Sequence, residues 1–140
     1  MANINLLKPK LKRLAEIFIK ECKKKGITVV ITQTLRTIDR QNKLYAQGRS
    51  IPGKIVTNAK GGQSYHNFGV AFDFAIMEKG RIDWDIRNKK WGEAGKIGQS
   101  LGLEWGGAWA SFPDLPHFQL TLGYTLSQFQ KNQVDNSRYS

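Results

Sequence analysis

Gly69-Val70-Ala71-Phe72-Asp73-Phe74-Ala75-Ile76 is the stretch on which the fold turns. Side chains of a β-strand alternate between two faces. Val70, Phe72, Phe74 and Ile76 therefore share one face, with Ala71, Asp73 and Ala75 on the other. The first face is large and apolar and must be covered by other elements. The second is small and leaves room above it. A carboxylate placed there needs a partner, because an unpaired buried charge is costly.

Upstream, Ile27 to Thr32 is rich in β-branched residues and predicts another strand. Leu7, Leu11, Leu14, Phe18 and Cys22 recur at helical spacing. They predict a helix over about residues 8–25, with Pro9 in its first turn and Gly26 as its C-terminal cap. Thr37 caps a short helix through Ala46, closed by Gly48. Arg49 to Ser64 is a long polar loop, and loops of that length in compact domains are often functional.

Downstream, residues 88–101 predict a third helix, although Gly92, Gly95 and Gly98 each weaken it by roughly 1 kcal/mol relative to Ala. Such glycines let a helix pack closely on a sheet. Leu103 to Trp105 and His117 to Leu120 are short strands, and Thr125 to Lys131 is a last short helix. The expected architecture is α+β: a small, mainly antiparallel sheet with flanking helices. One domain is expected over residues 1–131, followed by a polar tail or the start of a linker over 132–140.

The chain has 140 residues, which bounds it to a single domain with a real core. At 40% hydrophobic and 24% charged, the composition excludes disordered, collagenous and fibrous classes. No apolar run approaches the roughly 20 residues of a membrane span. The single Cys22 excludes an intramolecular disulfide and a multi-cysteine zinc site. The first residues show no basic region followed by an apolar stretch, so the expectation is synthesis in a cytoplasm without a secretory signal.

With 22 Lys+Arg against 11 Asp+Glu, the net charge is +11. Residues 1–60 carry 14 of the bases and 3 of the acids, while residues 61–140 carry 8 of each. All of the excess therefore lies in the first part. It calls for a polyanion: nucleic acid, an acidic membrane surface or an anionic cell wall. Binding of nucleic acid needs aromatics interleaved with the bases. The basic part offers only Phe18 and Tyr45, and all four Trp lie in the neutral part.

The two histidines both stand in places suited to chemistry. His66 ends the glycine-rich loop seven residues before Asp73, from where it can fold back over the strand. His117 follows Asp114 by three residues on a Pro-rich turn. Two imidazoles and one carboxylate form a ligand set for a catalytic zinc, with the fourth tetrahedral position left for water. Zinc lowers the pKa of such a water and polarises a carbonyl, and Asp114 can serve as the base beside it. Plainer readings stand next to this one. A lone histidine is usually structural, Asp73 could pair with an arginine, and Asp114 is an ordinary turn residue. The His-Glu-x-x-His helix motif is absent, so a metallopeptidase here must be of another type.

Ser64-x-His66-x-x-Gly69-x-Ala71-x-Asp73 followed by His117 resembles the zinc peptidases that include D-Ala-D-Ala carboxypeptidases, D-Ala-D-Ala dipeptidases and the L-alanyl-D-glutamate peptidases of bacteriophage endolysins. The resemblance to the last group extends over Leu35-Arg36-Thr37, residues 41–49, residues 55–64, Trp105-Gly106-Gly107, Trp109 and Pro116-His117-Phe118, covering most of residues 26–120. It implies that His66, Asp73 and His117 hold one Zn²⁺ at the sheet face and that Asp114 is the general base. Arg36 would stabilise the developing oxyanion. Gln41 and Ser64 would line the site.

Trp105 and Trp109 stand between core packing and the wall of the substrate cleft, and Trp105 is assigned to substrate binding. Cys22 falls on the apolar stripe of the first helix and belongs to the core. Glu104 is a rival base, but it matches no catalytic position.

The implied activity is hydrolysis of the L-Ala-D-Glu bond of peptidoglycan stem peptides, with lysis of the wall. The alternative is a D-Ala-D-Ala carboxypeptidase or dipeptidase. The expected partners are peptidoglycan and anionic wall polymers, with no nucleic acid and no integral membrane contact, and the chain is expected to be a monomer. The missing signal favours a phage enzyme released through a holin-type pore over a cellular autolysin.

Overall fold

A computed structural model describes residues 2–140. Helix α1 spans Pro9–Lys24, and its buried residues Leu11, Ala15, Phe18 and Cys22 follow the expected stripe. Leu14 lies at the edge of that stripe, partly buried. Gly26 ends the helix in the left-handed conformation, at φ 75°. Strand β1 (Thr28–Gln33) follows, then α2 (Ile38–Ala46), whose Thr37 hydroxyl accepts the Arg40 N–H. Residues 49–64 are irregular. Arg49 organises their first half by donating to the Tyr45 and Thr57 carbonyls and to Asn58 Oδ1.

The central strand is β2, Ala71–Glu78. A tight turn through Lys79 and Gly80, both at positive φ, returns the chain into β3 (Arg81–Ile82), a hairpin absent from the sequence expectation. Helix α3 (Lys90–Ser100), strands β4 (Glu104–Trp105) and β5 (His117–Gln119), and helix α4 (Leu126–Gln130) complete the chain. The sheet order is β1-β2-β5-β4, with β3 pairing with β2, and every ladder is antiparallel.

The two sheet faces have separate jobs. Phe72, Phe74, Ile76 and Phe118 point toward α1 and α3 and are fully buried. The Phe18 ring lies 5.2 Å from Phe74 and 5.0 Å from Phe118, both edge-on, in arrangements worth about 0.5–1.5 kcal/mol beyond their burial. Two of the three α3 glycines, Gly95 and Gly98, work as expected, while Gly92 has open space around it. A methyl group at Gly95 would enter the Trp105 ring, and one at Gly98 the Phe118 ring. The opposite face carries Asp73, His117 and Gln119.

The stretch 132–140, expected as a polar tail or linker start, holds a 3-10 turn (Asn136–Tyr139). Tyr139 is 1% exposed and its hydroxyl donates to the Leu120 carbonyl at 2.7 Å. Val134 packs on the same core, so this segment is part of the packed unit. Two apolar anchors among polar neighbours suffice to dock a short tail.

Candidate metal centre and catalytic site

Three elements converge over the open sheet face. Asp73 in β2 and His117 in β5 are direct cross-strand partners, and directly paired residues share a face. His66 arrives from outside the sheet, on a 3-10 turn over Tyr65–Phe68. The Ser64 hydroxyl caps that turn by accepting the His66 N–H, and Asn67 Oδ1 accepts the Ser64 N–H in return. The turn is also tied to the end of β1. The Arg36 N–H donates to the His66 carbonyl, and Asn67 Nδ2 donates to the Arg36 carbonyl, both at 2.9 Å. A register shift between Ile31 and Gln33 bends β1 just before this junction, a bulge of the kind that re-aims residues beside sites.

The resulting donor set is compact. Oδ1 of Asp73 lies 3.0 Å from His66 Nε2 and 3.1 Å from His117 Nδ1. All three candidate ligand atoms lie within 4.8 Å of one another. A tetrahedral site with bonds of 2.0–2.1 Å requires ligand separations of about 3.3 Å, so a small cation fits with little movement. The outer ring nitrogens strengthen the case. His66 Nδ1 is 3.0 Å from the Thr34 carbonyl oxygen, which can only accept, so that nitrogen carries the proton. His117 Nε2 is 2.8 Å from Gln119 Oε1. In the neutral state with each proton on its outer nitrogen, the rings turn lone pairs toward the Asp73 carboxylate, and three acceptors face one another, an arrangement that a cation between them satisfies. Without a cation, protons on the inner nitrogens take its place. These residues can hold a metal ion.

Charges around the centre are coupled. Burial works to raise the Asp73 pKa, but hydrogen bonds from His117 and then His66 overcome it and hold the carboxyl well below its usual range. Burial works to lower the His117 pKa, and the bond to Asp73 outweighs it, leaving a net rise. Asp114 has solvent on one side, yet its carboxyl is enclosed enough that desolvation, followed by the charge of Asp73, pushes its pKa up. His117, His66 and Arg36 act on it in the opposite sense. The turn carrying Asp114 is held by the Gly106 carbonyl, which accepts the Asp114 N–H at 2.9 Å. Gly106 must be glycine, because a side chain there would strike the Asp114 backbone.

Arg36 is half-buried, and the charges of Asp73 and Asp114 both reach it. Its Nη1 donates to Gln41 Oε1 at 3.0 Å, while its buried Nε finds no protein partner among the described residues.

Several site expectations land elsewhere. Gln41 is fully buried, with its Nε2 donating to the Ala59 carbonyl, so both ends of its amide are spent on protein. It orients Arg36. Ser64 spends its hydroxyl on the cap under His66. Trp105 pairs with Phe118 in the β4–β5 ladder and therefore lies on the helix side, under Gly95, with its indole N–H on the Leu115 carbonyl. The other candidate tryptophan reaches the site: the Trp109 ring stands 5.4 Å from that of His117 and is 39% exposed. Thr34, Asn67 and Gln119 escaped the sequence reading. For Gln119 a signal existed, since it lies two residues past His117 on one strand face.

Comparison with known proteins agrees with this geometry. A peptidase family described as D-alanyl-D-alanine carboxypeptidase matches residues 57–120. The chain is 45% identical over 122 residues to the peptidoglycan L-alanyl-D-glutamate endopeptidase CwlK of Bacillus subtilis, covering 81% of this chain and 73% of that protein. It is 35% identical over 134 residues to the L-alanyl-D-glutamate peptidase of a Listeria phage, where it covers 94% of itself but 44% of the relative. Among solved structures, the L-Ala D-Glu endopeptidase ChiX of Serratia marcescens superposes with a TM-score of 0.64 at 24% identity, over 86% of this chain and 84% of that one. The vancomycin resistance D,D-pentapeptidase VanY, solved in complex with Zn(II), gives 0.62 at 10% identity, over 95% and 83%. Those two likenesses establish the fold. Sequence identity to the Bacillus enzyme goes further: the chain belongs to this family of peptidases, alongside the L-alanyl-D-glutamate endopeptidases.

Proposed function

We propose that the protein is a zinc-dependent endopeptidase that hydrolyses the L-Ala-D-Glu bond of peptidoglycan stem peptides and so lyses the bacterial wall. The observation that carries this reading is the inward-facing set of His66 Nε2, Asp73 Oδ1 and His117 Nδ1, in a chain 45% identical to an endopeptidase named for that bond. A zinc ion held there supplies Lewis acidity for the scissile carbonyl and a lowered pKa for water.

The chain's own groups supply the rest. Asp114 takes the proton of the attacking water and passes it to the amine leaving from D-Glu. Arg36, fixed by Gln41, aims its guanidinium at the oxygen on which charge develops. Trp109 walls the cleft beside His117. Gln41 and Ser64 act by positioning Arg36 and His66.

The catalytic unit runs through residue 131 and includes the docked segment 132–140. It acts as a monomer. The exposed lysines of α1, among them Lys23 and Lys24, form with the adjoining Lys25 a surface for anionic wall polymers. No helix among the described residues is long and apolar enough to cross a membrane. Release to the wall through a holin-type pore is the route that suits a chain similar to a phage peptidase.

Clearing of a wall suspension tests the metal requirement. Activity should disappear on chelation and on Asp73→Asn, and the chelated wild type should recover on addition of Zn²⁺. Clearing at full rate after complete chelation would overturn the proposal.

A further inference from the structure

Glu104 lies on β4, outside the donor set, yet it is joined to it. One of its oxygens, Oε1, accepts from the N–H and the hydroxyl of Thr121, at 3.0 and 2.6 Å. The other, Oε2, accepts from Gln119 Nε2 at 3.1 Å. Gln119 in turn presents Oε1 to His117 Nε2 at 2.8 Å. His117, Gln119 and Glu104 sit on one sheet face because β4 and β5 pair Glu104 directly with Gln119.

The chemistry of this chain has a direction. A side-chain amide can be turned either way round, and only its surroundings choose. An ionised carboxylate accepts and cannot donate. Glu104 therefore demands the amide NH₂ of Gln119, which leaves the amide oxygen toward His117. That oxygen also only accepts, so His117 must carry its proton on Nε2. Its Nδ1 then keeps a lone pair for a metal ion, 3.1 Å from Asp73 Oδ1.

With the amide reversed, the opposite arrangement becomes self-sufficient: NH₂ donates to Nε2, and Nδ1–H donates to Asp73. That state satisfies His117 and Asp73 and closes the site to metal, but it sets Gln119 Oε1 against Glu104 Oε2, two acceptors, so Glu104 opposes it. Asp73 Oδ1, 3.1 Å from Nδ1, pulls toward this second arrangement, and Glu104 is the group that opposes it, since Thr121 satisfies only Glu104 and His66 takes its own orientation from Thr34.

We propose that Glu104, acting through Gln119, is a positioning residue that selects the metal-binding tautomer of His117. The proposal rests on His117 being a metal donor.

Its test uses the whole chain. Nitrogen-15 NMR of the metal-free protein reads the His117 tautomer, and competition with a chelator reads Zn²⁺ affinity. Glu104→Gln, which can face Gln119 with either end of its amide, should shift His117 toward the Nδ1–H form and weaken Zn²⁺ binding about 10–100-fold, the range for such outer partners. The exchanged pair Glu104→Gln with Gln119→Glu returns an acceptor-only group to His117. It should restore both the Nε2–H form and the affinity.

A Glu104→Gln protein that keeps the Nε2–H tautomer and wild-type Zn²⁺ affinity would overturn the proposal, whatever its melting temperature. Failure of the exchanged pair to recover either readout would also overturn it. His117→Ala separates the underlying reading: if that variant binds Zn²⁺ as tightly as wild type, His117 is not a donor at all.

Discussion

Asp73 and His117 face each other as register partners across β2 and β5, with Oδ1 and Nδ1 3.1 Å apart. Two of the three candidate metal donors are thus placed by a backbone ladder, and the third, His66, is fixed by a capped turn and by the Thr34 carbonyl. Such a centre exists before the metal arrives. Zn²⁺ should therefore stabilise the folded chain by mass action, about 2.7 kcal/mol at a hundredfold excess over its Kd. A thermal melt should shift upward by several degrees on adding Zn²⁺, and Asp73→Asn should fold but show no shift. An equal shift in that variant would place the ion elsewhere.

Asp114 should matter for turnover and not for metal retention. Asp114→Ala should lower kcat about 10²–10⁴-fold, the usual worth of a positioned base, with Zn²⁺ affinity within a few-fold of wild type. Its pKa gives a second check. Because desolvation and the Asp73 charge push it up, the Asp114 carboxyl of the metal-free protein should hold its proton to higher pH than an ordinary aspartate near 3.9. A bound divalent cation favours the ionised form, so Zn²⁺ should move that titration downward. Carbon-13 NMR of the carboxyl follows both. Titration at or below the ordinary value without metal would contradict the electrostatic account.

Helix α3 offers a paired test of packing. A methyl group at Gly98 would enter the buried Phe118 ring, whereas Gly92 on the same helix has open space around it. Gly98→Ala should cost about 1–3 kcal/mol through overpacking. Gly92→Ala should gain up to about 1 kcal/mol from helix propensity. Denaturant midpoints should therefore move in opposite directions.

The basic surface and the cutting site should separate experimentally. Reversing the charge of Lys23, Lys24 and Lys25 should weaken wall binding and make it less sensitive to salt, since exposed charges act through screened fields. Cleavage of a short soluble peptide should stay at the wild-type rate. A parallel fall in both would merge the two functions.

Much of this was legible in the sequence for a physical reason. The alternation from Val70 to Ile76 and the stripe from Leu7 to Cys22 are local periodicities, so they announce both the buried face and the open one. The candidate ligand residues stood out because the chain has only two histidines, and the one carboxylate on a small-residue strand face completes a set. What stayed hidden depends on register between distant short strands. Glu104 meets Gln119 fifteen positions away because two-residue β4 pairs with β5, and no periodicity is visible in two residues. The same ladder turns Trp105 to the helix side. Docking of Tyr139 rests on contacts with Leu120, Phe129 and Lys8, all distant in sequence, with nothing local to mark it. The β2–β3 hairpin did carry a signal, Lys79-Gly80 as a two-residue turn.

The bond that is cut tests the central claim most directly. Purified walls digested with the Zn²⁺-loaded protein and separated by mass spectrometry should yield stem-peptide fragments with a new amino terminus on D-Glu, leaving L-Ala on the glycan. Release of D-Ala or D-Ala-D-Ala, with the L-Ala-D-Glu bond intact, would contradict the account and assign the same centre to the carboxypeptidase or dipeptidase reaction.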